Sequence, residues 1–376
     1  MNILMITEDH SKSNFGITAV VSQLCDHLIS QYSDLKIHIF TTSPENVTQN
    51  EKAIIVSVQP SVLGNSWKWS PELASSLEEV IKNFQINIIH LHGIWMAAQH
   101  TGLMLAKKYS IPVLISTHGM FQPWLWKEQG KVKQIKKNLY YSLLLRPTIS
   151  SNVIFHALSQ DEAETLTDYF PKQKKVIIPN AINLENAQNF SSLPKKNRFL
   201  FLGRIHPIKA VDLLVQAFFL ANLGKEWSLC IVGPDNAPDY TANVRNKINE
   251  LSLSNQISLT GPVFGDNKQS YYEHSWALVL PSYSEGFPMV SLEAARCGLP
   301  TLLTIEAGLE NWSESGGLTI KPEINDITSK LVEAASWSLS ERISRGEQTF
   351  QYVKQNYSWD VVIPKWHDLY QQMSVS

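Results

Sequence analysis

Cysteine is scarce in this chain. Cys25, Cys230 and Cys297 are three among 376 residues, an odd number without metal-ligand spacing, so neither a disulfide framework nor a thiolate metal site is expected. Each lies in an apolar segment, the setting of a buried free thiol in a reducing compartment. Long apolar runs are missing as well, and nothing approaches the roughly 20 apolar residues of a membrane-spanning helix. Met1 leads directly into the apolar residues 2–6, with no basic region, long apolar stretch or small-residue cleavage site, so no signal peptide is expected. These absences predict a cytoplasmic chain, at most resting on the inner face of the cytoplasmic membrane. In that setting the glycosylation sequon at Asn311 is a chance match.

An excess of one charge is absent too. The 32 Lys and Arg stand against 34 Asp and Glu, a net charge of −2 that weighs against nucleic acid as the main partner. No Gly-x-Gly-x-x-Gly follows an early strand, which disfavours a nicotinamide oxidoreductase. No Asp-x-Asp pair is present to hold a divalent ion, and neither a metal nor another cofactor is expected.

What is present is length and alternation. A chain of 376 residues exceeds the roughly 250 to 300 at which a single core stops growing, so two domains are expected. In the first 185 or so residues "NILMIT", "KIHIFT", "INIIHLH", "VLIST" and "VIFHA" read as strands. Between the first two, Ile17, Val20, Val21, Leu24 and Leu28 recur at helical spacing. After the polar, Pro-containing residues 191–197 the alternation restarts with "RFLFLG", "WSLCIVG", "QISLT", "ALVLP" and "TLLT". Two similar α/β units with parallel sheets covered on both faces follow, and ligands of such sheets bind beyond the carboxyl ends of the strands. An interdomain cleft is expected there. The chemically suggestive residues all follow strands: Gly16, His92, His118, Arg204 and Glu285.

In "FLGRIHPIKAVDLLVQAF", Arg204 and Lys209 lie in a loop entering a helix whose apolar face is Val211, Leu214, Val215 and Phe218. A helix N-terminus with two cations can receive a phosphate or diphosphate, although a solvated surface loop accounts for the same residues. In "PSYSEGFPMVSLEAARCGLP", Pro288 suits the first helical position and Gly298 with Pro300 the stop, a helix of about ten residues. Glu285 and Gly286 then sit in the entry loop. Glu293 sits in the second turn among apolar neighbours, partly buried and in need of donors. Carboxylates would repel a diphosphate, so both glutamates fit better as acceptors for sugar hydroxyls beside it. A nucleotide sugar satisfies the whole charged set; a core ion pair is the other reading of Glu293.

The segments "EGFPMVSLE" and "GRIHPIKAVDLL" resemble the E-x7-E signature and the phosphate-binding segment of retaining GT-B glycosyltransferases of family GT4. The glycine loop near residue 16, "STHGMFQPW", "IVGPD", "LTGPVFGDNKQSYY" and the terminal "YSWDVVIPKWHDLY" extend the resemblance over nearly the whole chain. It implies two Rossmann-like domains: residues 1–190 as an acceptor domain joined by a returning C-terminal helix at 357–376, and residues 191–356 as the nucleotide-sugar domain. It implies that Arg204 and Lys209 bind the donor diphosphate, Glu293 the ribose hydroxyls, Glu285 the transferred sugar, and that His118 reaches the sugar. Gly16, Gly286, Phe287, Pro288, Met289 and Val290 complete the implied donor site. The implied activity is a metal-independent, retaining hexosyltransferase (EC 2.4) with a UDP- or GDP-sugar donor and a carbohydrate or lipid-linked acceptor. The implied context is surface polysaccharide (lipopolysaccharide, capsule or exopolysaccharide) or glycolipid assembly.

Two departures from the family pattern matter. Pro288 stands where many relatives carry glycine, and it has no N–H to offer a ligand, so amides of Phe287, Met289 or Val290 must serve. "NFGI" has one glycine where relatives commonly have a pair. His10, His92 and Trp95 are further expected contacts for acceptor or sugar. Residues 123–147 mix Trp124, Trp126, Tyr140 and Tyr141 with Lys127, Lys131, Lys133, Lys136, Lys137 and Arg146, a face that suits peripheral contact with anionic lipid or simply a solvated helix. A nucleotide-sugar epimerase or hydrolase of the same fold, and a non-catalytic nucleotide-sugar-binding protein, are the competing functions. An assay with donor and acceptor together separates them.

Overall fold

Short runs of β-branched and aliphatic residues become parallel strands because helices cover both of their faces. The computed structural model describes residues 1–8, 17–42, 54–58, 67–123, 130–184, 196–309 and 311–375. In the first sheet these are β1 (Asn2–Thr7), β2 (Lys36–Thr41), β3 (Ile54–Ser57), β4 (Ile88–His92), β5 (Val113–Ser116), β6 (Val153–Ala157) and β7 (Lys174–Ile177). Their order is β3-β2-β1-β4-β5-β6-β7, with parallel pairing throughout. The second sheet holds β8 (Arg198–Leu202), β9 (Ser228–Val232), β10 (Ile257–Leu259), β11 (Ala277–Leu280), β12 (Thr301–Thr304) and β13 (Leu318–Ile320). Its order is β10-β9-β8-β11-β12-β13, again parallel.

Strand order reverses between β1 and β4 in one sheet and between β8 and β11 in the other. At such switch points the loops diverge and leave a crevice beyond the strand ends. Of the residues singled out by sequence, His92 ends β4, Arg204 follows β8 and Glu285 follows β11.

The chain divides into two units, Met1–Asn180 with Trp359–Ser376, and Ala181–Ser358. The first break therefore falls at 180/181 instead of 190/191, and the last at 358/359 instead of 356/357. The reason is local. The Ile182 amide donates to the Tyr357 carbonyl at 2.9 Å, Ile182 bridges Ser358, and Ile182 is buried in the second core. Most of the Pro-containing stretch at 191–197 lies outside the described residues.

The helix Ile17–Gln31 buries Val21, Leu24 and Leu28 of its expected stripe, and Cys25 beside them, with Ile17 and Val20 half-buried. All three cysteines are buried and free, and burial raises the Cys297 thiol to about 11. The helix Trp359–Val375 packs in the first unit: Trp366 lies 4.5 Å from the His156 ring, and His367 stacks on Tyr32 at 3.8 Å. Among the described residues no helix is long and apolar enough to cross a membrane.

Candidate active site

In the second unit the loops after β8 and β11 are stitched to each other. Gly203 ends β8 against Gly233, where a Cβ on Gly233 would sit 1.8 Å from the Gly203 carbonyl oxygen, so that approach requires glycine. A short 3-10 turn, Pro207–Lys209, follows; the His206 ring accepts from the Ile208 amide at 3.3 Å, and Ala210 at φ 51 turns the chain into the helix Val211–Ala221. The Tyr283 amide then donates to the Ile208 carbonyl at 2.8 Å, drawing the β11 loop onto the β8 loop.

This brings Lys209 and Glu285 together. Lys209 Nζ pairs with Glu285 Oε1, each side chain only 11% exposed, and Ser282 Oγ donates to the same oxygen at 3.0 Å. Desolvating two such charges is costly, and the pair offsets the cost only while both members are present. Arg204, on the same loop, is exposed and has no ion-pair partner among the described residues. The helix end is less open than expected. The Asp212 amide donates to Tyr240 Oη at 3.1 Å and the Tyr240 hydroxyl bonds the Asp212 carboxylate, which satisfies one orphan donor of that N-terminus.

The helix carrying Glu293 runs Met289–Arg296. It starts one residue later than expected and is shorter than ten residues, because Pro288 takes φ −86 and ψ 72, outside helical geometry, and occupies the N-cap. The Met289 amide donates to the Phe287 carbonyl at 3.0 Å, which removes it from the amides that could face a ligand. Phe287, Met289 and Val290 pack their side chains on the second core, and Gly286 is half-buried beside them. Glu293 is held from the helix Gly265–Glu273: Lys268 Nζ pairs with Glu293 Oε2, and Tyr272 Oη donates to the same oxygen at 2.6 Å. Burial first, and Glu293 second, keep the Tyr272 hydroxyl well above its usual range, so it remains a donor.

In the first unit His92 ends β4 and His118 follows β5, and their rings meet at 3.1 Å between Nδ1 of His92 and Nε2 of His118. His118 sits at φ 51, in the left-handed region that non-glycine residues seldom occupy. What holds it there is a buried carboxylate. Glu162 Oε1 accepts from Thr117 Oγ1 and from the Gly119 amide, both at 2.6 Å, while Oε2 accepts from the Leu158 amide at 2.8 Å. Burial raises the Glu162 pKa and these three bonds oppose the rise.

Behind His118 runs a buried chain whose tautomers follow from one end. The Ile178 carbonyl can only accept, so His156 Nε2 donates to it at 2.7 Å. Neutral His156 then accepts at Nδ1 from Ser116 Oγ, also 2.7 Å, and Ser116 accepts from His90 Nε2 at 2.7 Å. His90 Nδ1 in turn accepts from Tyr370 Oη at 2.8 Å. Burial lowers these rings' affinity for a second proton: His118 to about 3, with His156 adding to the effect, His156 to about 4, and His90 well below the ordinary value. Trp95 belongs to an aromatic cluster with Phe121 and Tyr140, and Lys137 lies 5.4 Å over its ring. His10 and Gly16 lie outside the described residues.

Comparison with known families decides the identity. Residues 184–336 match the family "Glycosyl transferases group 1", and residues 16–186 match "Glycosyltransferase Family 4". The chain belongs to the group 1 glycosyltransferases. An uncharacterized glycosyltransferase of Methanocaldococcus jannaschii is 24% identical over 96% of this chain and 95% of that protein. The sucrose-phosphate synthase of Thermosynechococcus elongatus superposes with a TM-score of 0.78 at 18% identity, covering 99% of both chains. Anabaena HepE in complex with UDP-glucose gives 0.72 at 14% identity, covering 99% of this chain and 100% of that one. These likenesses give the glycosyltransferase its GT-B fold.

Sequence reasoning missed three residues that hold this glycosyltransferase's candidate groups. Lys268 and Tyr272 are four apart in "NKQSYY", hence on one helical face, a spacing legible without the structure. Glu162 stands three after Ser159, the spacing of a capping box; Ser159 Oγ does accept from the Glu162 amide at 3.3 Å, but the carboxylate also reaches the His118 loop.

Proposed function

We propose that this glycosyltransferase moves a hexose-type sugar from a UDP- or GDP-sugar to an acceptor hydroxyl, with retention at the anomeric carbon and without a metal ion. The observation that carries the proposal is the near-buried Lys209–Glu285 pair at the β8/β11 switch point, with the exposed cation Arg204 on the same loop. A solvated surface loop has no reason to desolvate a lysine and a glutamate. The bound UDP-glucose of Anabaena HepE supports a nucleotide-sugar donor.

In this reading Arg204 and Lys209 take the charge that develops on the departing diphosphate, the electrostatic work a divalent ion performs elsewhere. Glu293 serves the ribose. Both of its described partners bond Oε2, so Oε1 is the oxygen offered to the hydroxyls. Glu285 and His118 are assigned to the transferred sugar. His118 is neutral near pH 7 and acts as a hydrogen-bonding group, not as a cation. The acceptor oxygen attacks the face the diphosphate leaves: the bond from the anomeric carbon to phosphate oxygen breaks, the new glycosidic bond forms, and the acceptor proton passes to the leaving phosphate. The acceptor is assigned to lipid-linked or other saccharides of surface-polysaccharide or glycolipid assembly, by resemblance to the family.

Three measurements test the parts. A thermal-shift panel of UDP- and GDP-sugars should single out one donor by stabilisation. Turnover should persist in excess chelator; loss that added divalent ion restores would end the metal-free assignment. NMR of the first-formed product should show the donor's anomeric configuration, and an inverted product would end the retaining one.

A further inference from the structure

The helix Lys131–Tyr140 and the following turns to Thr148 present two unlike faces. The inner face is fastened to the first unit: Tyr140 Oη donates to the Ile94 carbonyl at 2.9 Å, Tyr141 Oη to the Tyr169 carbonyl at 2.8 Å, and Leu145 is fully buried. The aromatics expected on the outside therefore point inward, and Trp124, Trp126 and Lys127 lie outside the described residues. The outer face is aliphatic. Val132 is 68% exposed, Ile135 58%, Leu139 54% and Leu143 68%, at spacings of three, four and four that keep them in one stripe.

The charge around this stripe names its partner. Residues 129–160 hold Lys131, Lys133, Lys136, Lys137 and Arg146 but no Asp or Glu, in a chain whose net charge is −2. Lys133 and Lys136 are exposed on the same helix as the stripe, and Arg146 is exposed at its far end. Lysine is depleted from the cores of protein interfaces, whereas an aliphatic face bordered by lysines suits a headgroup and acyl boundary, where long basic side chains reach back to phosphates.

We propose that this face docks on an anionic lipid bilayer surface. Val132, Ile135, Leu139 and Leu143 enter the acyl boundary, and Lys133, Lys136 and Arg146 meet the headgroup phosphates. The tyrosine anchors mean that the helix is already folded and oriented before it meets the membrane. The proposal is independent of the donor assignments.

The test is co-sedimentation of the full chain with vesicles of phosphatidylcholine alone and of phosphatidylcholine mixed with phosphatidylglycerol. Binding is expected to the mixed vesicles only, weakening as salt rises. Val132→Ser/Ile135→Ser/Leu139→Ser should lower partitioning at least about tenfold, with melting temperature and donor binding unchanged. Lys133→Gln and Lys136→Gln should each lower it about fivefold. No binding, equal binding to both vesicle types, or binding indifferent to these substitutions overturns the proposal. So does a dimer in vesicle-free solution that the triple substitution dissociates.

Discussion

At the residue scale, the two cations of the β8 loop are not equivalent. Lys209→Ala strands the Glu285 carboxylate where it is 11% exposed, and should cost on the order of 3 kcal/mol of stability, read as a shifted denaturant midpoint. Arg204→Ala touches no described partner and should stay within about 0.5 kcal/mol of the parent. A normal denaturant midpoint for Lys209→Ala would mean that the pair is not desolvated as described. The histidines give a second prediction. Their folded pKa values lie below the unfolded value near 6.5, so the stability they contribute is present above that pH. It is lost as pH falls toward the folded values of about 4 for His156 and about 3 for His118. The His118 ring proton resonances should stay flat between pH 8 and 5; a titration near 6.5 would contradict the buried, neutral assignment. Glu162→Gln should loosen the His118 loop, because an amide cannot accept from all three donors, and cost about 1 to 3 kcal/mol. Arg204, Lys209, Glu285 and Glu293 were legible in the sequence because charge following a strand is conspicuous. The groups that hold Glu293 and the His118 loop were not, since Lys268 and Glu162 act on partners 25 and 43 positions away.

At the element scale, the strands read from sequence are those with continuous apolar runs, and β3, β7 and β13 escaped. All three lie at sheet edges, where one side has no neighbouring strand among the described residues and the apolar pattern thins: β3 and β7 carry no fully buried residue. The start of the Glu293 helix was misplaced because proline fixes φ but leaves ψ to the loop, and ψ at Pro288 is 72. Glycine packing supplies a test at this scale. Gly346 lies inside the helix Leu339–Tyr357, where alanine ordinarily gains about 1 kcal/mol. Here a Cβ would meet the Gly298 carbonyl oxygen at 2.1 Å, directly after the Glu293 helix. Gly346→Ala should therefore destabilise, by about 2 kcal/mol, and a melting temperature at or above the parent's would show that the two backbones can part.

At the scale of the whole molecule, the repeat of one α/β plan was visible in the alternation of strands and helices, and each sheet reverses its strand order once. The exact breaks were not visible, because residues 181 and 182 are claimed by a long-range pairing with the chain near 357 and 358. The central claim is that the loops joining β8 and β11 receive a nucleotide sugar, and calorimetry tests it most directly. The chain and its Arg204→Ala and Glu293→Ala variants would be titrated with the nucleotide sugar that gives the largest thermal shift. The account predicts saturable binding to the parent and at least about tenfold weaker binding to each variant, one charged contact being worth about 1.5 to 3 kcal/mol, with melting temperatures of the free Arg204→Ala variant and the parent alike. Undiminished binding to both variants would contradict it.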